Sequence, residues 1–393
     1  MSDTRGSWRA GRWERANAAA ILDWRKPSGS FSYWQLQTVC RAVDAVIRGY
    51  VTDSTSANAV ARALRPTRVA CDALAFRTID EALAYLVQHL ADRYGRVTQV
   101  LERLLAVGHL PIRKTRLTVL DIGAGPAPAL YAIHDFYDDL QAWTESTGQD
   151  VRFTSISDPH ALDRGPAWDT VLHVLSEQLA AFRKSAGSNG SLPFWRVHED
   201  LTGFSVREIH SEARESAIAR VMSDFDRADE PINRHWAQIF ATEESKQFWA
   251  PSAYDFIVLC NFLTNPVITD EFAEEIKELG RSLTPGGLLI ALGGTGDRYP
   301  EVWSRLDELL QINDMTKIDH VSIQMQANDD PQRGTMIRTH MFDSMTRILS
   351  LCTREVRDEV QSSTRMLPRD SYIEMAFRNF QVQCWKNQPR HHG

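Results

Sequence analysis

The chain has 393 residues, 43% of them hydrophobic and 24% charged, with a formal net charge of −7 at pH 7. That is the balance of an ordinary globular protein, long enough for one large core or two domains. No apolar run reaches the length of a membrane span, and the N-terminus MSDTRGSWRAGRWERAN lacks the apolar centre of a secretory signal. Membrane and secreted classes are therefore set aside, and a cytoplasmic location is expected. The five cysteines (Cys40, Cys71, Cys260, Cys352, Cys384) are scattered and form no C-x-x-C pair. This suits a reducing compartment and argues against a disulfide framework or a zinc knuckle. Residues 1–118 carry 18 Lys+Arg against 10 Asp+Glu, and the remainder 26 against 41. A basic front on an acidic body suits a polyanion-binding face, and equally suits arginines that only solvate helix surfaces.

Residues 1 to about 110 read as helical. In IDEALAYLVQHLADRYGRVTQVLERLL the residues Leu83, Leu86, Val87, Leu90, Tyr94, Val97, Leu101, Leu104 and Leu105 recur at helical spacing. Asp80 and Glu81 suit its positive N-terminal end. From residue 117 the pattern changes to strands alternating with helices, the signature of a mostly parallel sheet. LTVLDIG predicts a first strand and PALYAIHDFYDDLQAW its helix; VRFTSISDP a second strand, followed by the helix AWDTVLHVLSEQLAAFRK; LPFWRVHEDL a third strand. AYDFIVLCNFL predicts a fourth, with an unbroken apolar centre typical of a strand covered on both faces. DEFAEEIKELGRSL reads as a helix, TPGG as a turn and LLIALGG as a fifth strand; FRNFQVQCW predicts a last strand at the sheet's far side. Residues 205–250 exceed a usual loop and read as an inserted helical cap, over an active site or as an inert surface insertion.

The segment RLTVLDIGAGPAPALYAI, residues 116–133, carries the most chemistry. At a strand-to-helix turn in an open sheet, the ligand crevice lies beyond the strand's C-terminal end. Gly123 and Gly125 let a ligand approach the backbone, Ala127 is also small, and Pro128 suits the first helical turn. Asp121 either orients the loop or reaches a cationic group of the ligand. The dinucleotide fingerprint G-x-G-x-x-G is broken by Pro128, and an acid before the glycines would face pyrophosphate. The same acid is welcome beside a sulfonium.

VLDIGAGPAPALYA resembles motif I of the class I S-adenosylmethionine-dependent methyltransferases, and further landmarks follow in that family's order over roughly residues 117–300. The resemblance implies an α/β, Rossmann-like sheet with helices on both faces and S-adenosyl-L-methionine as cofactor. It makes Asp158, closing the second strand, the acid for the ribose hydroxyls. In HEDLTGF it makes Asp200 the partner of the adenine amino group and Leu201 an adenine-packing residue. It sets Asn261, at the end of YDFIVLCNFLTN, facing the methyl group. The organisation then reads as an N-terminal helical region, 1–112, suited to acceptor recognition, and a cofactor-binding methyltransferase domain, 113–393, carrying the cap. The helix running into LDIGAGPAPALYA is also similar to the junction in mitochondrial small-ribosomal-subunit methyltransferase-like proteins, without their cysteine cluster.

Methyl transfer chiefly requires positioning of the nucleophile and exclusion of water, with deprotonation where the acceptor is a hydroxyl or a protonated amine. Asn261 and His160 are the candidate catalytic residues, with Asn265 and Asp297 near the same strand ends. His160 also reads as a residue lining the next helix, and Asn261 as a turn former. GGTGDRY reads as an anion cradle or as a turn beside the crevice. His198, His210 and His235 show no metal spacing. Trp8, Trp13, Trp24 and Trp34, interleaved with arginines, suit stacking on bases, anchoring a helix onto the body, or docking a second copy in a homodimer. The sequence thus predicts methyl transfer to an O or N nucleophile. The acceptor is left open between a small molecule, a peptide and RNA, with no membrane partner. A cofactor-binding assembly factor that transfers nothing is the alternative of another class.

Overall fold

A computed structural model describes residues 4–25, 32–69, 74–111, 117–149, 156–186, 192, 195–197, 201–202, 254–312, 315–326, 329–363 and 378–388. The N-terminal region forms four helices: α1 (Thr4–Arg25), α2 (Ser32–Tyr50), α3 (Ser54–Val69) and α4 (Ile79–Val107). The 29 residues of α4, roughly 43 Å of helix, are stopped cleanly at both ends. Thr78 and Glu81 form a capping box at its start, and Gly108 closes it at φ 74°. The apolar positions picked out by spacing are buried along it.

The sheet holds β1 (Leu117–Ile122), β2 (Ile156–Leu162), β3 (Trp195–Val197), β4 (Tyr254–Cys260), β5 (Leu283–Gly293), β6 (Met315–Lys317), β7 (Gln324–Met325) and β8 (Phe380–Asn387). Its order is β3-β2-β1-β4-β5-β8-β6, with β7 paired to β8. The pairs from β3 through β5 are parallel, and β8 is antiparallel to β5, β6 and β7. This is the mostly parallel sheet that the sequence pattern predicts, in the Rossmann-like α/β form that the resemblance implies. Strand order reverses between β1 and β4, and that reversal opens a crevice at their C-terminal ends.

Side chains alternate between two cores. Val119, Phe256, Val258, Leu288 and Ile290 face one apolar cluster, which runs on without a break into α1–α4. It also takes in α5 (Pro128–Ser146), α6 (Trp168–Ser185), and later α10 (Pro331–Leu351) and α11 (Arg354–Ser363). Leu120, Ile122, Ile257, Leu259 and Leu289 face the other cluster, covered by α7 (Pro266–Glu271), α8 (Ala273–Arg281) and α9 (Tyr299–Gln311). Among the described residues no helix is long and apolar enough to cross a membrane.

The second strand departs from the sequence expectation. The second strand begins at Ile156 and closes at Leu162, so Asp158 lies opposite Thr118 rather than at the strand's end. The segment DPHAL extends the strand because His160, Ala161 and Leu162 are all buried. TPGG turns as expected, though within the bounds of β5: Tyr254 pairs with Leu283 and Phe256 with Leu288, so residues 284–287 bulge out of the register, with Gly286 at φ 83°. The last strand, β8, lies beyond β5 on the sheet's far side as expected, and both of its sides are paired, which buries Phe380, Val382, Cys384 and Trp385. The expected cap at 205–250 lies outside the described residues.

The helices on the α4 face are tied by a buried polar knot. Arg183 of α6 lies 2.6 Å from Asp135 Oδ1 of α5, and Tyr94 of α4 donates its hydroxyl to Asp135 Oδ2 at 2.9 Å. Burial alone would raise the Asp135 carboxyl, but the Arg183 guanidinium and the bonds from His134 and Tyr94 hold it below the usual carboxylate range. A depressed folded value gives stability that is full above the unfolded value and is lost as pH falls through the folded one. Arg183→Met, which leaves the carboxylate buried and alone, is expected to cost about 3–5 kcal/mol at neutral pH. The penalty should shrink as pH falls, because protonation removes the unpaired buried charge from the variant. Urea unfolding of both proteins across pH measures this, and a pH-independent difference would show that packing alone is lost.

Candidate functional site

The turn after β1 passes three residues through left-handed backbone: Gly123 at φ 61°, Gly125 at 50° and Ala127 at 55°. Ala127 is the strained member, since a Cβ there is disfavoured, and it caps α5 with no side-chain bond. Pro128 then occupies the first helical turn, as expected for a residue without an N–H. At Gly123 a Cβ would stand 2.5 Å from the Phe262 ring, so the position has neither room nor torsional freedom for a side chain. The N–H of Gly125 donates to Asp163 Oδ2 at 2.8 Å.

Asp121 lies beneath this turn with no exposed surface. Its Oδ2 accepts from the Ala129 N–H at 3.3 Å, while Oδ1 has no hydrogen-bond partner. Burial drives its carboxyl well above the usual range, against the pull of the α5 N–H groups. Of the two roles read from sequence, the geometry matches the first: the side chain holds the turn against α5 and does not line the crevice. The charge argument for a sulfonium over a phosphate therefore has no exposed carboxylate at this position to rest on.

A cavity of about 260 Å³ opens over the turn at the C-terminal ends of β1 and β4. It brings together Gly123, Leu201 and Asn261 from the sequence candidates. Asn261 sits at φ 57°, its N–H bonded to Leu292 O at 2.8 Å, and its Oδ1 is buried without a partner. A buried carbonyl oxygen lacking a donor is costly unless a ligand supplies one. Asp163 also lines the cavity, directly after β2, with Oδ1 accepting from the Gly165 N–H at 2.8 Å. It stands where the sequence reading put Asp158. The strand runs farther than its alternation suggested, and counting from the last apolar residue, Leu162, would have found the acid.

His160 is a correction. It is 1% exposed, on β2, with Nδ1 2.7 Å from the Tyr254 hydroxyl, in the core rather than at the strand ends. Asn265 accepts from the Ile268 N–H and caps α7, and Asp297 is exposed. Gly293 and Gly294 carry the Tyr299 ring against their backbone, which accounts for that glycine pair without an anion. Asp200, His198, His210 and His235 lie outside the described residues. Among the described residues there is no metal-ligand cluster.

The wall opposite β4 comes from the N-terminal region, which spacing alone could not reveal. Phe76 and Tyr85 line the cavity and pack on Trp168 of α6, with ring centres 5.1 and 5.7 Å away. Phe76 O accepts from the Ala167 N–H at 3.1 Å, which pins this wall to the sheet side. Glu271 and Arg164 complete the polar lining. The Cys260 thiol, buried beside them, is pushed up to about 12 by desolvation and is no nucleophile. Next to it on α4, buried Asp92 holds Arg96 at 3.0 Å and Arg93 at 3.4 Å. Arg93, Arg96 and also Arg25 are thus internal charges, neither a surface patch nor helix solvation. Trp13 packs edge-on against Trp143 at 6.1 Å, the anchoring role among those read for the N-terminal tryptophans.

No family model matches the chain, and no curated protein matches it. Solved structures similar to it include the 4+2 cyclase SpnF, at 14% identity over 76% of this chain and 81% of that one, with a TM-score of 0.33. A phosphoethanolamine N-methyltransferase 2 of Haemonchus contortus, solved with phosphomonomethylethanolamine and S-adenosylhomocysteine, matches at 12% identity over 80% of this chain and 60% of that one, TM-score 0.36. Coclaurine N-methyltransferase, bound to N-methylheliamine and S-adenosylhomocysteine, matches at 8% identity over 96% and 94%, TM-score 0.35.

The raised Asp121 carboxyl has a measurable consequence. A carboxyl with a raised folded value stabilises the fold at low pH and loses that contribution as pH climbs from the unfolded value through the folded one. Relative to Asp121→Asn, the parent protein is expected to lose roughly 1–3 kcal/mol between acid and neutral pH. Urea midpoints of the two proteins compared across that range test it, and parallel curves would show an unperturbed carboxyl.

Proposed function

We propose that the chain is an S-adenosylmethionine-dependent methyltransferase acting on an O or N nucleophile of a small molecule or peptide. The observation that carries this reading is one coincidence at the sheet's switch point. A left-handed glycine turn ends β1, an acid ending β2 is bonded to that turn, and an unsatisfied Asn261 oxygen ends β4. Gly123 offers backbone without a side chain to the methionyl part of the cofactor. Asp163 lines the cavity directly after β2 and suits the ribose hydroxyls in place of Asp158. Leu201 is buried against the cavity and suits a purine face. The cofactor when bound supplies a methyl carbon already activated by its sulfonium leaving group.

The protein's own contribution is then positioning and exclusion of water. Phe76 and Tyr85 form an apolar wall over the turn, and Asn261 Oδ1 is poised to hold a donor on cofactor or acceptor. With His160 in the core, Glu271 is the candidate base for an acceptor that must lose a proton, since it lines the cavity and is not engaged in shaping the loop. A small cavity walled by aromatic rings, with Arg164 as its one lining cation among the described residues, favours a small or peptide acceptor over RNA. A factor that binds the cofactor and transfers nothing is the second reading, favoured by Asp121 and the glycines shaping a turn without a dedicated catalytic group.

Isothermal titration with S-adenosylmethionine and S-adenosylhomocysteine should give binding to the parent protein, weakened about tenfold or more by Asp163→Ala. Asp121→Asn should keep both affinities within a few-fold, because the side chain caps rather than contacts. A tritiated-methyl assay against metabolite pools, peptides and total RNA should label one of the first two. Label in RNA alone would overturn the acceptor class, and binding without label would favour the non-catalytic reading.

A further inference from the structure

A second cavity, of about 820 Å³, lies between the end of α1, the start of α2, the second half of α4 and the start of α10. Its size is that of small-molecule sites. Gln99, the first α4 residue to line it, is fourteen positions beyond Tyr85 of the crevice, roughly 21 Å along the helix. Arg96 partitions the two spaces. It stands by Cys260 on the crevice side, and its guanidinium lies 5.2 Å from the centre of the Phe380 ring. Phe380 in turn pairs with Met325, which lines the second cavity.

The residue that singles out this cavity is Arg25, the last of α1 and only 3% exposed. Its Cζ is held 4.2 Å over the centre of the Phe136 ring. The nearest carboxylates are Asp139 Oδ2, 3.4 Å from Nη1, and Glu102 Oε1, 3.9 Å from Nη2, and neither Nε nor Nη1 makes a hydrogen bond. Burying so many donors without acceptors is costly. Arg333, on the same cavity, contrasts with it: its Nη2 lies 2.7 Å from Glu102 Oε1 and 3.1 Å from Asp330 Oδ2. The Asp330 carboxylate is also taken, by the Tyr33 hydroxyl at 2.5 Å and the Arg333 N–H at 3.0 Å. Asp329 lines the cavity with an exposed carboxylate that makes no ion pair among the described residues. Leu22, Ala106, Ile323 and Met325 give it an apolar lining.

The charged lining is balanced, Arg25, Arg103 and Arg333 against Glu102, Asp329 and Asp330, so a phosphate dianion would meet as many carboxylates as guanidinium groups and a ligand of mixed charge fits better. A molecule carrying both a carboxylate and an ammonium group would supply acceptors for the unbonded Arg25 donors and a cation for Asp329. The geometry points to a second ligand site in this cavity for a zwitterion of the amino-acid or short-peptide class, its carboxylate on Arg25 and its ammonium toward Asp329. The site stands apart from the crevice and does not depend on what the crevice binds.

The test uses the full chain, with melting curves and titration calorimetry against the free L-amino acids and glycyl dipeptides, together with their amides and N-acetyl forms. At least one free zwitterion should raise the melting temperature, and its amide and N-acetyl forms should bind about tenfold or more weakly. Arg25→Lys, which keeps the charge but loses the fork, should weaken the same ligand by a similar factor. Asp329→Asn, at an exposed side chain, should keep the unliganded melting temperature and lose affinity, which separates lost recognition from lost fold. The inference is overturned if no zwitterion binds, if both variants bind like the parent, or if inorganic phosphate binds more tightly than every zwitterion.

Discussion

The turn at 123–127 is the constraint on which the rest of the site depends. Three of its five residues hold positive φ, and one of them, Ala127, has a side chain. Such a conformation persists only when its surroundings over-determine it. Here Asp121 grips the first turn of α5 from below, Asp163 grips the Gly125 N–H from the next strand, and the Phe262 ring covers Gly123. Each contact comes from a different element, and each needs the parallel register of β2, β1 and β4. The crevice is in this sense a product of the whole sheet.

Charge in the N-terminal helices serves the same end. Arg93 and Arg96 are buried around Asp92, and Arg183 is buried on Asp135. Buried pairs of this kind add little net stability over apolar packing, but breaking one partner is costly. Arg183, Asp135 and Tyr94 fix α6, α5 and α4 relative to one another, whereas Asp92, Arg93 and Arg96 pair within α4, the helix that carries Tyr85 into the crevice wall. In the basic front half Arg25, Arg93 and Arg96 are internal, while Arg15, Arg41, Arg62, Arg65 and Arg77 are exposed.

Much of the architecture was legible because it rests on local periodicity: the α4 stripe, the all-apolar β4 and the glycine turn are each visible within a few residues. The errors share a physical cause. The sequence reading closes the second strand at SISDP and so points to Asp158, whereas tertiary pairing with β1 carries the strand on to Leu162 and puts Asp163 directly after it. His160 was read as lying near a strand end for the same reason. Phe76, Tyr85 and Glu271 had no local signal, since their place in the crevice is set by helices packing from afar in the chain. Arg25 was likewise invisible as anything but one more basic residue.

The apolar cluster that runs without interruption from α1–α4 into one face of the sheet has a consequence for how the molecule can be taken apart. Val39, Val60, Leu90 and Leu101 share that cluster with Val119, Phe256 and Ile290. A cut just before β1 would leave an oily plane bare on the remaining piece and remove one wall of its crevice. The front helices are therefore not a detachable module that a relative might exchange for another recognition unit. Swapping them would mean redesigning half of the interior.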